Sequence, residues 1–224
     1  LARLVLGEMR IGVGEGAVRD AICEAFDQPP EAVSRALQVT NDYGEVAAVA
    51  REEGQTGLDS LELELGRPIQ SMLAQAGTAA GALDAWDEAA AEIKFDGARV
   101  QIHVREGEDG EKGEENGLGE VSIYSRNMDD VTAALPDVVD AVRQSVTEPC
   151  ILDGEVVAVD DNGDPLPFQH VLRRFRRKHD VEQMVDEVAL RLHTFDCLRA
   201  GSQGLLKKPL VERHDRLTDV FETD

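Results

Sequence analysis

An alternation of apolar and polar residues between positions 92 and 105 limits what this chain can fold into more than any other feature. The apolar members of the alternation are Ile93, Phe95, Ala98, Val100, Ile102 and Val104. Because a period of two residues suits a strand, it predicts one strand, or two strands with Asp96-Gly97 at the bend. Similar apolar runs predict further strands over residues 121–124, 151–159 and 190–198.

Much of the remaining sequence follows the helical period. Apolar residues at helical spacing predict helices over residues 17–26, from 31 onward, over 46–51, from 136 onward, over 167–179 and over 211–221. The two glycines in residues 54–57 predict a break, and we place a domain boundary near Gly66. The pattern therefore predicts an all-α segment over residues 1–65, followed by an α+β domain with mixed or antiparallel sheets over residues 66–224.

The composition is strongly acidic, with 45 Asp and Glu residues against 23 Lys and Arg residues and a formal net charge of −22. Regular apolar patterning distinguishes the chain from a disordered acidic polypeptide. Few lysines, many carboxylates and 4% aromatic residues predict a cytoplasmic protein that works at very high salt. There the Debye length falls to about 3 Å, so repulsion is screened and the acidic charge does not exclude a nucleic-acid partner.

Other bulk features narrow the class of protein. No apolar run is long enough to span a membrane, and no secretory leader is visible. The chain begins at Leu1 and stops at Asp224 without a terminating pattern, so we expect a fragment of a longer protein. Cys23, Cys150 and Cys197 are scattered and not spaced as metal ligands, which predicts buried reduced thiols.

Lys94 is one of five lysines in the chain and stands inside the alternating stretch, two residues before Asp96-Gly97. An amine held between ordered apolar neighbours is partly desolvated, which favours its neutral, nucleophilic form. Lys94 is therefore a candidate covalent nucleophile. The alternative is a hairpin turn with an exposed lysine, because Asp-Gly is also the usual chemistry of such a turn. The four-residue pattern by itself leaves both interpretations open.

Three further motifs follow this lysine motif along the chain. They are Tyr124-Ser125-Arg126-Asn127, Leu152-Asp153-Gly154-Glu155 and Thr194-Phe195-Asp196. Each lies at or in a predicted strand, and in this combination the chain resembles the covalent nucleotidyltransferases, specifically the ATP-dependent DNA ligases of archaea. Stretches outside the motifs that also resemble this family are residues 9–14, 40–47, 68–74, 167–169 and 173–178. The resemblance covers nearly the whole chain except a predicted acidic hairpin loop, rich in Gly and Glu, over residues 106–119. Together with the composition it implies a salt-loving archaeon as the source.

The resemblance implies an ATP-grasp-like nucleotidyltransferase (adenylation) domain, truncated at its C-terminal end and preceded by the end of an all-α DNA-binding domain. It implies that Lys94 attacks the α-phosphate of ATP and carries AMP to the 5′-phosphate of nicked double-stranded DNA, which the 3′-hydroxyl then seals in replication, repair and recombination. Mg²⁺ is the expected counter-charge for phosphoryl transfer. Asp96 is expected either to hold the lysine in place or to take part in the chemistry. Later lysine-bearing strands and an OB-fold domain are expected to lie beyond Asp224.

The resemblance also implies five residues that bind ATP. Glu92 corresponds to the residue beside the adenine, and Phe195 to the aromatic residue that stacks on it. Arg99 and Arg126 correspond to arginines that contact the ribose and the phosphates. Glu155 corresponds to the acidic residue that contacts the ribose and supports the metal-assisted steps. Glu155 is thus a possible metal ligand, and no other metal ligand is assigned.

A run of basic residues stands out in so acidic a chain, namely Arg173, Arg174, Arg176, Arg177 and Lys178. Two interpretations remain open: a solvated helix end whose charges complement the helix dipole, or contacts to the DNA backbone. Arg10, before the first predicted helix, is a further candidate DNA contact. Five histidines are expected to be structural or surface residues, and they are His103, His170, His179, His193 and His214.

Two rival functions are compatible with the motifs. An RNA ligase or an mRNA-capping guanylyltransferase shares the lysine motif, although the helical N-terminal segment argues against both. A non-catalytic binding module would keep the fold without turnover, although the presence of Lys94, Arg99, Arg126 and Glu155 argues against it. The expected partner is nicked double-stranded DNA, with a sliding clamp as a candidate for the full-length protein. We expect a monomer with no membrane association.

Overall fold

The computed structural model describes residues 14–72, 74–86, 88–107, 118–175, 185 and 187–221. The chain divides into two compact units, the first ending at Ile69 and the second beginning at Gln70. Each unit has a hydrophobic core of its own. The two units were predicted to bind DNA and to carry out adenylation, respectively. The division of the chain into units does not test these functions, and they stay predictions.

The first unit is helical. Within the described residues its helices are α1 (Glu15–Phe26), α2 (Pro30–Thr40), α3 (Tyr43–Glu52) and α4 (Gly54–Ser60). Apolar faces of these helices meet in one core made of Ile22, Ala32, Val33, Ala36, Val46, Ala50 and Leu58. Asp42 caps α3, since its side chain accepts hydrogen bonds from the backbone N–H groups of Gly44 (2.8 Å) and Glu45 (2.9 Å). The predicted helices over 17–26, from 31 and over 46–51 are confirmed.

The predicted break at residues 54–57 is confirmed at its start, since α3 ends at Glu52 and α4 begins at Gly54, but it does not extend over the stretch, which is helical. Gly54 has a φ of 63°, which glycine adopts without a steric penalty, so the chain turns at this one residue and enters α4 directly. Leu58 of α4 is fully buried in the helical core. Burial of an apolar face stabilises this short helix although two of its seven residues are glycines.

The second unit is an α+β fold. Its elements are α5 (Ala79–Ala85), β1 (Ala98–Glu106), β2 (Leu118–Ser125), a 3₁₀ turn (Thr132–Ala134), α6 (Pro136–Ser145), β3 (Cys150–Val159), α7 (Phe168–Phe175), β4 (Ala189–Ala200), β5 (Gln203–Gly204) and α8 (Leu210–Asp219). The strands form one sheet in the order β2-β1-β3-β4-β5, and every neighbouring pair is antiparallel. The predicted α+β class with an antiparallel sheet is confirmed.

The sheet is buried on more than one face, which the alternation did not predict. Ile102 and Val104 of β1 are fully buried in the main core, together with side chains of β2, β3 and α6. On the same strand Gln101 is 5% exposed and His103 is 0% exposed. The His103 ring lies 3.0 Å from the Gln101 side-chain oxygen and packs edge-on against Tyr124. Polar positions of an alternating strand can thus be buried where they find polar partners.

Strand pairing begins later than the sequence predicted. The first residue of β1 is Ala98, which pairs with Val156 of β3, and residues 92–97 form no strand. We refer to residues 92–97 as the lysine segment. Ile93 in this segment is 78% exposed, so its place in the apolar alternation does not reflect burial. Asp96 and Gly97 form a bend through which the lysine segment enters β1.

The predicted helices of the second unit are confirmed as α6, α7 and α8, although residues 176–179 of the third prediction lie outside the described part of the chain. Residues 108–117 of the predicted acidic loop also lie outside it. Within the described ranges, no helix has the length and apolar character needed to cross a lipid bilayer.

Candidate functional site

A cavity of about 1500 Å³ lies in the second unit, where the start of β1 meets the end of β2. Antiparallel pairing brings its walls together. Val100 near the start of β1 pairs with Ser125 at the end of β2, and Arg99 pairs with Glu155 of β3. β4 adds the strand beyond β3, and the lysine segment, α7, α8 and the residues Ser71, Met72 and Ala74 complete the lining.

Six predicted residues from five separate stretches of the chain line this cavity. They are Glu92, Lys94, Arg99, Arg126, Glu155 and Phe195. Local sequence placed each one at or beside an element, but only the sheet register brings them together. Their joint presence in one cavity is an observation, whereas the individual roles given to them above remain predictions.

Lys94 is exposed to solvent, and its Nζ donates a hydrogen bond to the carbonyl oxygen of Phe95 at 3.0 Å. The expectation that ordered apolar neighbours desolvate this amine is wrong, because Ile93 is itself exposed. Phe95 is half-buried and stacks on His193 of β4, with the ring centroids 4.0 Å apart. Burial lowers the pKa of His193, and Arg191 adds to this effect, so the ring in the stack is neutral near pH 7.

The end of the lysine segment is held by both residues of its Asp-Gly pair. The Asp96 carboxylate accepts a hydrogen bond of 3.4 Å from the backbone N–H of Phe168, at the start of α7. The backbone N–H of Gly97 donates to Glu155 Oε1 at 3.2 Å. A Cβ atom on Gly97 would lie 2.4 Å from the carbonyl oxygen of Val156, so only glycine fits against β3 here. Of the two roles left open for Asp96, its contact matches the first, holding the segment.

Arg99 is oriented by a carboxylate that the sequence analysis did not single out. Asp153 of β3 accepts two hydrogen bonds from the Arg99 guanidinium, one of them 2.9 Å from Nε to Oδ1. This pairing raises the pKa of Arg99. The guanidinium carbon lies 5.5 Å from the ring centroid of Phe195, within the range of a cation–π contact. Arg99 is thus fixed between a carboxylate and an aromatic ring.

Arg126 is presented to the cavity by a tight turn after β2. The Ser125 hydroxyl accepts hydrogen bonds from the backbone N–H groups of Asn127 and Asp129, each at 3.2 Å. Met128 takes a φ of 66° to close the turn. The Arg126 side chain is exposed, and within the described residues neither Arg126 nor Lys94 forms an ion pair.

The electrostatic character of the cavity differs from that of the chain. The protein carries a formal net charge of −22, yet two of its cations, Lys94 and Arg126, face this cavity without an acidic partner among the described residues. A third cation, Arg99, shares its charge with Asp153. Cations without partners in an otherwise acidic protein favour an anionic ligand. The aromatic ring of Phe195 beside them favours a ligand that also carries a flat base.

Comparison with known families decides between the nucleotide-binding classes. The family model described as ATP dependent DNA ligase domain matches residues 71–224, which includes the whole cavity lining. The chain belongs to the ATP-dependent DNA ligase family. Relatives of this ligase chain include the DNA ligase of Haloarcula marismortui, 61% identical over 100% of the chain and 38% of the relative. The DNA ligase of Halobacterium salinarum is 59% identical over 99% of the chain and 38% of the relative.

The chain spans 38% of the length of these curated ligase relatives. Both come from halophilic archaea, in agreement with the high-salt environment that the composition predicted. Among solved structures, a mycobacterial DNA ligase D complexed with ATP and MES is similar with a TM-score of 0.40 and 22% identity. That similarity covers 58% of this chain and 36% of the other. The nucleotidyltransferase fold class predicted from the motifs is confirmed by the family match.

One of the candidate DNA contacts of this ligase chain is wrong. Arg174 of α7 is 1% exposed, and its guanidinium pairs with Asp137 of α6. It also donates to the carbonyl oxygens of Val188 (3.0 Å) and Ala134 (3.3 Å). Because the Arg174 side chain is buried and hydrogen-bonded to these partners, it cannot reach a DNA phosphate. Of the other candidates, Arg173 is exposed, while Arg10, Arg176, Arg177 and Lys178 lie outside the described residues.

Several residues that line or support the cavity were given no role there by the sequence analysis. Asp153 stands two residues before Glu155, and His193 stands two residues before Phe195, each pair within one strand. The strand period of two would have placed both members of each pair on one face. His214 of α8 also lines the cavity. No local signal pointed to His214, because only tertiary packing brings α8 against the middle of β4.

The described residues contain no group of three or more His, Cys, Asp or Glu side chains arranged to hold a metal ion by themselves. Mg²⁺, however, is usually bound through one or two carboxylates together with substrate phosphates. Glu155 fits that pattern, since it lines the cavity and the Gly97 N–H engages only its Oε1 atom.

Proposed function

We propose that this chain is the adenylating part of an ATP-dependent DNA ligase, and that Lys94 is its nucleophile. In the first step the neutral amine attacks the α-phosphorus of ATP. A nitrogen–phosphorus bond forms, the bond from the α-phosphorus to the bridging oxygen breaks, and pyrophosphate leaves. The nitrogen releases its proton to solvent, to which Lys94 is exposed. The phosphoramidate then transfers AMP to the 5′-phosphate of a DNA nick, and the 3′-hydroxyl displaces AMP to seal the strand.

The observation that carries this proposal is the meeting of Lys94, Arg99 and Arg126 in one cavity that Phe195 also lines. Phosphoryl transfer needs a positioned nucleophile and fixed positive charge beside the phosphates. Lys94 supplies the first, and the exposed Arg126 supplies charge that no described acid neutralises. This arrangement supports an anionic nucleotide as the substrate, and the family match supports ATP.

The remaining walls of the cavity support separate contacts to the nucleotide. Phe195 offers a ring for base stacking, although Arg99 already covers one of its faces, so a base would use the other face or displace the guanidinium. Glu92 would accept hydrogen bonds beside the base. Glu155 would contact the ribose and help to hold Mg²⁺, which when bound neutralises the charge of the phosphates. We propose these roles on the residues' positions in the cavity.

The proposed macromolecular substrate is nicked double-stranded DNA, and Arg173 is the exposed candidate for a backbone contact. Arg10, Arg176, Arg177 and Lys178 remain candidates from sequence. We further propose that residues 1–65 are the end of a helical DNA-binding domain and that residues 66–224 belong to the adenylation domain. The full-length ligase is proposed to act as a cytoplasmic monomer, with a sliding clamp as a possible partner.

The proposal is tested by incubating the full-length protein that carries these residues with α-³²P-labelled ATP and Mg²⁺. We expect a covalent protein–AMP signal that is lost in Lys94→Arg, because arginine keeps the charge but not the nucleophilic amine. Lys208→Arg, which alters an exposed lysine paired with Glu212, is the matched control and should label normally. A signal that persists in Lys94→Arg, or none in the unchanged protein, would refute the assignment.

The same assay separates the rival functions. Labelling by GTP in preference to ATP would favour a capping guanylyltransferase, and sealing of nicked RNA alone would favour an RNA ligase. A non-catalytic module would bind ATP without forming the protein–AMP bond. Our expectation is labelling by ATP followed by sealing of nicked DNA.

A further inference from the structure

We propose that His193 and His214 are positioning residues that hold the lysine segment against β4 and α8, and so set where the Lys94 amine points. This inference rests on the proposed function, since it assigns a role in presenting the nucleophile. It concerns two histidines that the sequence analysis expected to be structural or surface residues. Neither is proposed to touch the reacting atoms.

The lysine segment needs such anchors because it lies outside the sheet. β1 begins only at Ala98, so no strand pairing supports the backbone that carries Lys94. At its C-terminal end the segment is held by the hydrogen bond from Phe168 N to Asp96 and by the one from Gly97 N to Glu155. Both of these hydrogen bonds lie after Lys94. By themselves they would leave the preceding residues of the segment free to move.

The first anchor is the stack between Phe95 and His193. Their ring planes differ by 19° and their centroids are 4.0 Å apart, which is a parallel stack. Phe95 directly follows Lys94, and its carbonyl oxygen accepts the Nζ hydrogen bond. Any movement of Phe95 therefore moves the acceptor that orients the amine. Because His193 belongs to β4 and pairs with Glu155, this stack ties Lys94 to the rigid sheet.

The second anchor is His214, which faces the other end of the segment. Its Nε2 lies 3.0 Å from the carbonyl oxygen of Phe195 and 3.6 Å from Glu92 Oε1. A carbonyl oxygen only accepts, so Nε2 carries the hydrogen and donates. The Glu92 carboxylate thus lies beside the Nε2–H group of His214, which is held by its hydrogen bond to Phe195 of β4. Among the described residues, these two imidazoles provide the ring stack and the approach of an imidazole nitrogen to a carboxylate that residues 92–95 make with the rest of the unit.

The two histidines thus bracket the nucleophile, with His214 on the Glu92 side and His193 on the Phe95 side. Placing a nucleophile by even about 1 Å can change a rate by as much as a hundredfold. Removing either anchor should therefore slow the attack of Lys94. For His193→Ala the expected kinetic signature is a lower maximal rate of labelling at an unchanged half-saturating ATP concentration. For His214→Ala the maximal rate should fall as well, together with a rise in the half-saturating ATP concentration, because its partners Glu92 and Phe195 are the proposed base contacts.

The first experiment measures single-turnover labelling by ATP in His193→Ala, His193→Phe, His214→Ala and His214→Gln, all in the full-length protein. Each alanine variant should lower the maximal rate about tenfold. Phe restores a stacking ring and Gln restores an N–H donor, so each should recover most of the loss. A raised half-saturating ATP concentration with an unchanged maximal rate would overturn the proposal, because it would make the histidine a direct ATP contact.

A matched control is His170→Ala. His170 lies on α7 and does not line the cavity, so this substitution should leave labelling unchanged. If His170→Ala slows labelling as much as His193→Ala, the effect is general and the positioning role is refuted. Thermal unfolding of each variant shows whether the fold is intact, and the Phe and Gln variants keep the test decisive if an alanine variant unfolds.

A second experiment does not depend on adenylation. Endoproteinase Lys-C cleaves after lysine, and Lys94 lies in the exposed segment, while Lys207 serves as an internal reference on the same unit. Loss of an anchor should raise cleavage after Lys94 relative to Lys207 about threefold or more, as local opening becomes easier. An unchanged ratio in both alanine variants would overturn the proposal. If the unchanged protein forms no protein–AMP bond, the proposed function is refuted. The ratio of cleavage after Lys94 to cleavage after Lys207 would still test whether the two histidines hold the lysine segment.

Discussion

Arg99 and Asp153 form a two-point ion pair diagonally across β1 and β3, and the pair is unequal in its exposure. The Asp153 side chain is 6% exposed, whereas that of Arg99 is 32% exposed and reaches the cavity. The buried Asp153 carboxylate therefore fixes the half-buried Arg99 guanidinium beside the ring of Phe195. The position of a cavity cation is thus decided by a residue that contributes little to the surface of the cavity.

Replacing Asp153 tests this relationship. In Asp153→Ala the guanidinium loses both acceptors, so we expect the free energy of unfolding to fall by about 2 kcal/mol and the half-saturating ATP concentration to rise. Asp153→Asn keeps one acceptor for Arg99 and should lie between. Urea unfolding and ATP titration measure the two effects. Glu120→Ala, which breaks an exposed pair with Arg105, is the control and should change neither. Unchanged ATP binding in Asp153→Ala would contradict the assigned role of the pair.

Arg173 and Arg174 are neighbours of the same type with opposite environments, and we expect their alanine variants to behave differently. Arg174→Ala removes the buried partner of Asp137 and should cost about 3 kcal/mol of stability. Arg173→Ala should leave stability within about 0.5 kcal/mol and weaken DNA binding, lowering the salt slope by about one. Chemical unfolding and DNA titration at several salt concentrations separate the two. Equal losses of stability would disprove the distinction.

Gly97 is predicted to be intolerant of any side chain. In Gly97→Ala the new Cβ would lie 2.4 Å from the carbonyl oxygen of Val156 and 2.8 Å from Glu155 Cγ. Overpacking of this kind costs about 1–3 kcal/mol and would push the lysine segment away from β3, so AMP labelling should fall as well. Gly77→Ala is the matched control, since a Cβ there meets nothing within 4 Å. Normal labelling of Gly97→Ala would show that the close approach is not needed.

His103 predicts a specific pH dependence of stability. Burial lowers the pKa of His103 from 6.5 to about 3, with a smaller contribution from Arg105. Below pH 6.5, His103 of the unfolded chain therefore binds a proton, whereas His103 of the folded protein stays neutral down to about pH 3. Stability from this residue is full above pH 6.5 and is lost as the pH falls through that window.

The measurement compares urea unfolding at pH 7.5 and pH 5.5 in the unchanged protein and in His103→Gln. Acidification to pH 5.5 should lower the free energy of unfolding of the unchanged protein by about 1.4 kcal/mol more than that of the variant. The reason is that pH 5.5 lies one unit below the pKa of the unfolded histidine, which corresponds to about that free energy. The many carboxylates titrate in both proteins and cancel in the comparison. Identical losses would mean that His103 is charged in the folded state or exposed.

The sequence was most informative where one local rule governed one element. Helical spacing predicted α1 to α3 and α6 to α8, and apolar runs predicted the middle of every strand except the two-residue β5. It misled where a residue's neighbours in the chain were not its neighbours in space. Ile93 belongs to the apolar alternation, yet it is exposed because β3 pairs only from Ala98 onward. The break predicted over residues 54–57 is limited to the turn at Gly54, because burial of Leu58 stabilises a helix directly after it.

The candidate site shows the same division. Motif residues such as Lys94, Arg126 and Phe195 were identified from sequence because their order along the chain resembles one family. Arg174 was misassigned because charge alone does not reveal whether a helix position faces solvent or α6. Asp153 and His193 were within reach of the strand period, while His214 was not, since it lies on a helix and only packing of that helix against β4 brings it to Phe195.

By itself the sequence determined the family and the kinds of secondary structure, and it predicted Lys94 as the nucleophile, because these depend on residue identity, spacing and local period. Tertiary structure decided what surrounds that nucleophile. The antiparallel register brings Arg99 beside Asp153 and Glu155, and packing of α8 carries His214 to Glu92. These contacts join residues that are tens of positions apart, and their free energy comes from pairing and burial that no local stretch of sequence contains.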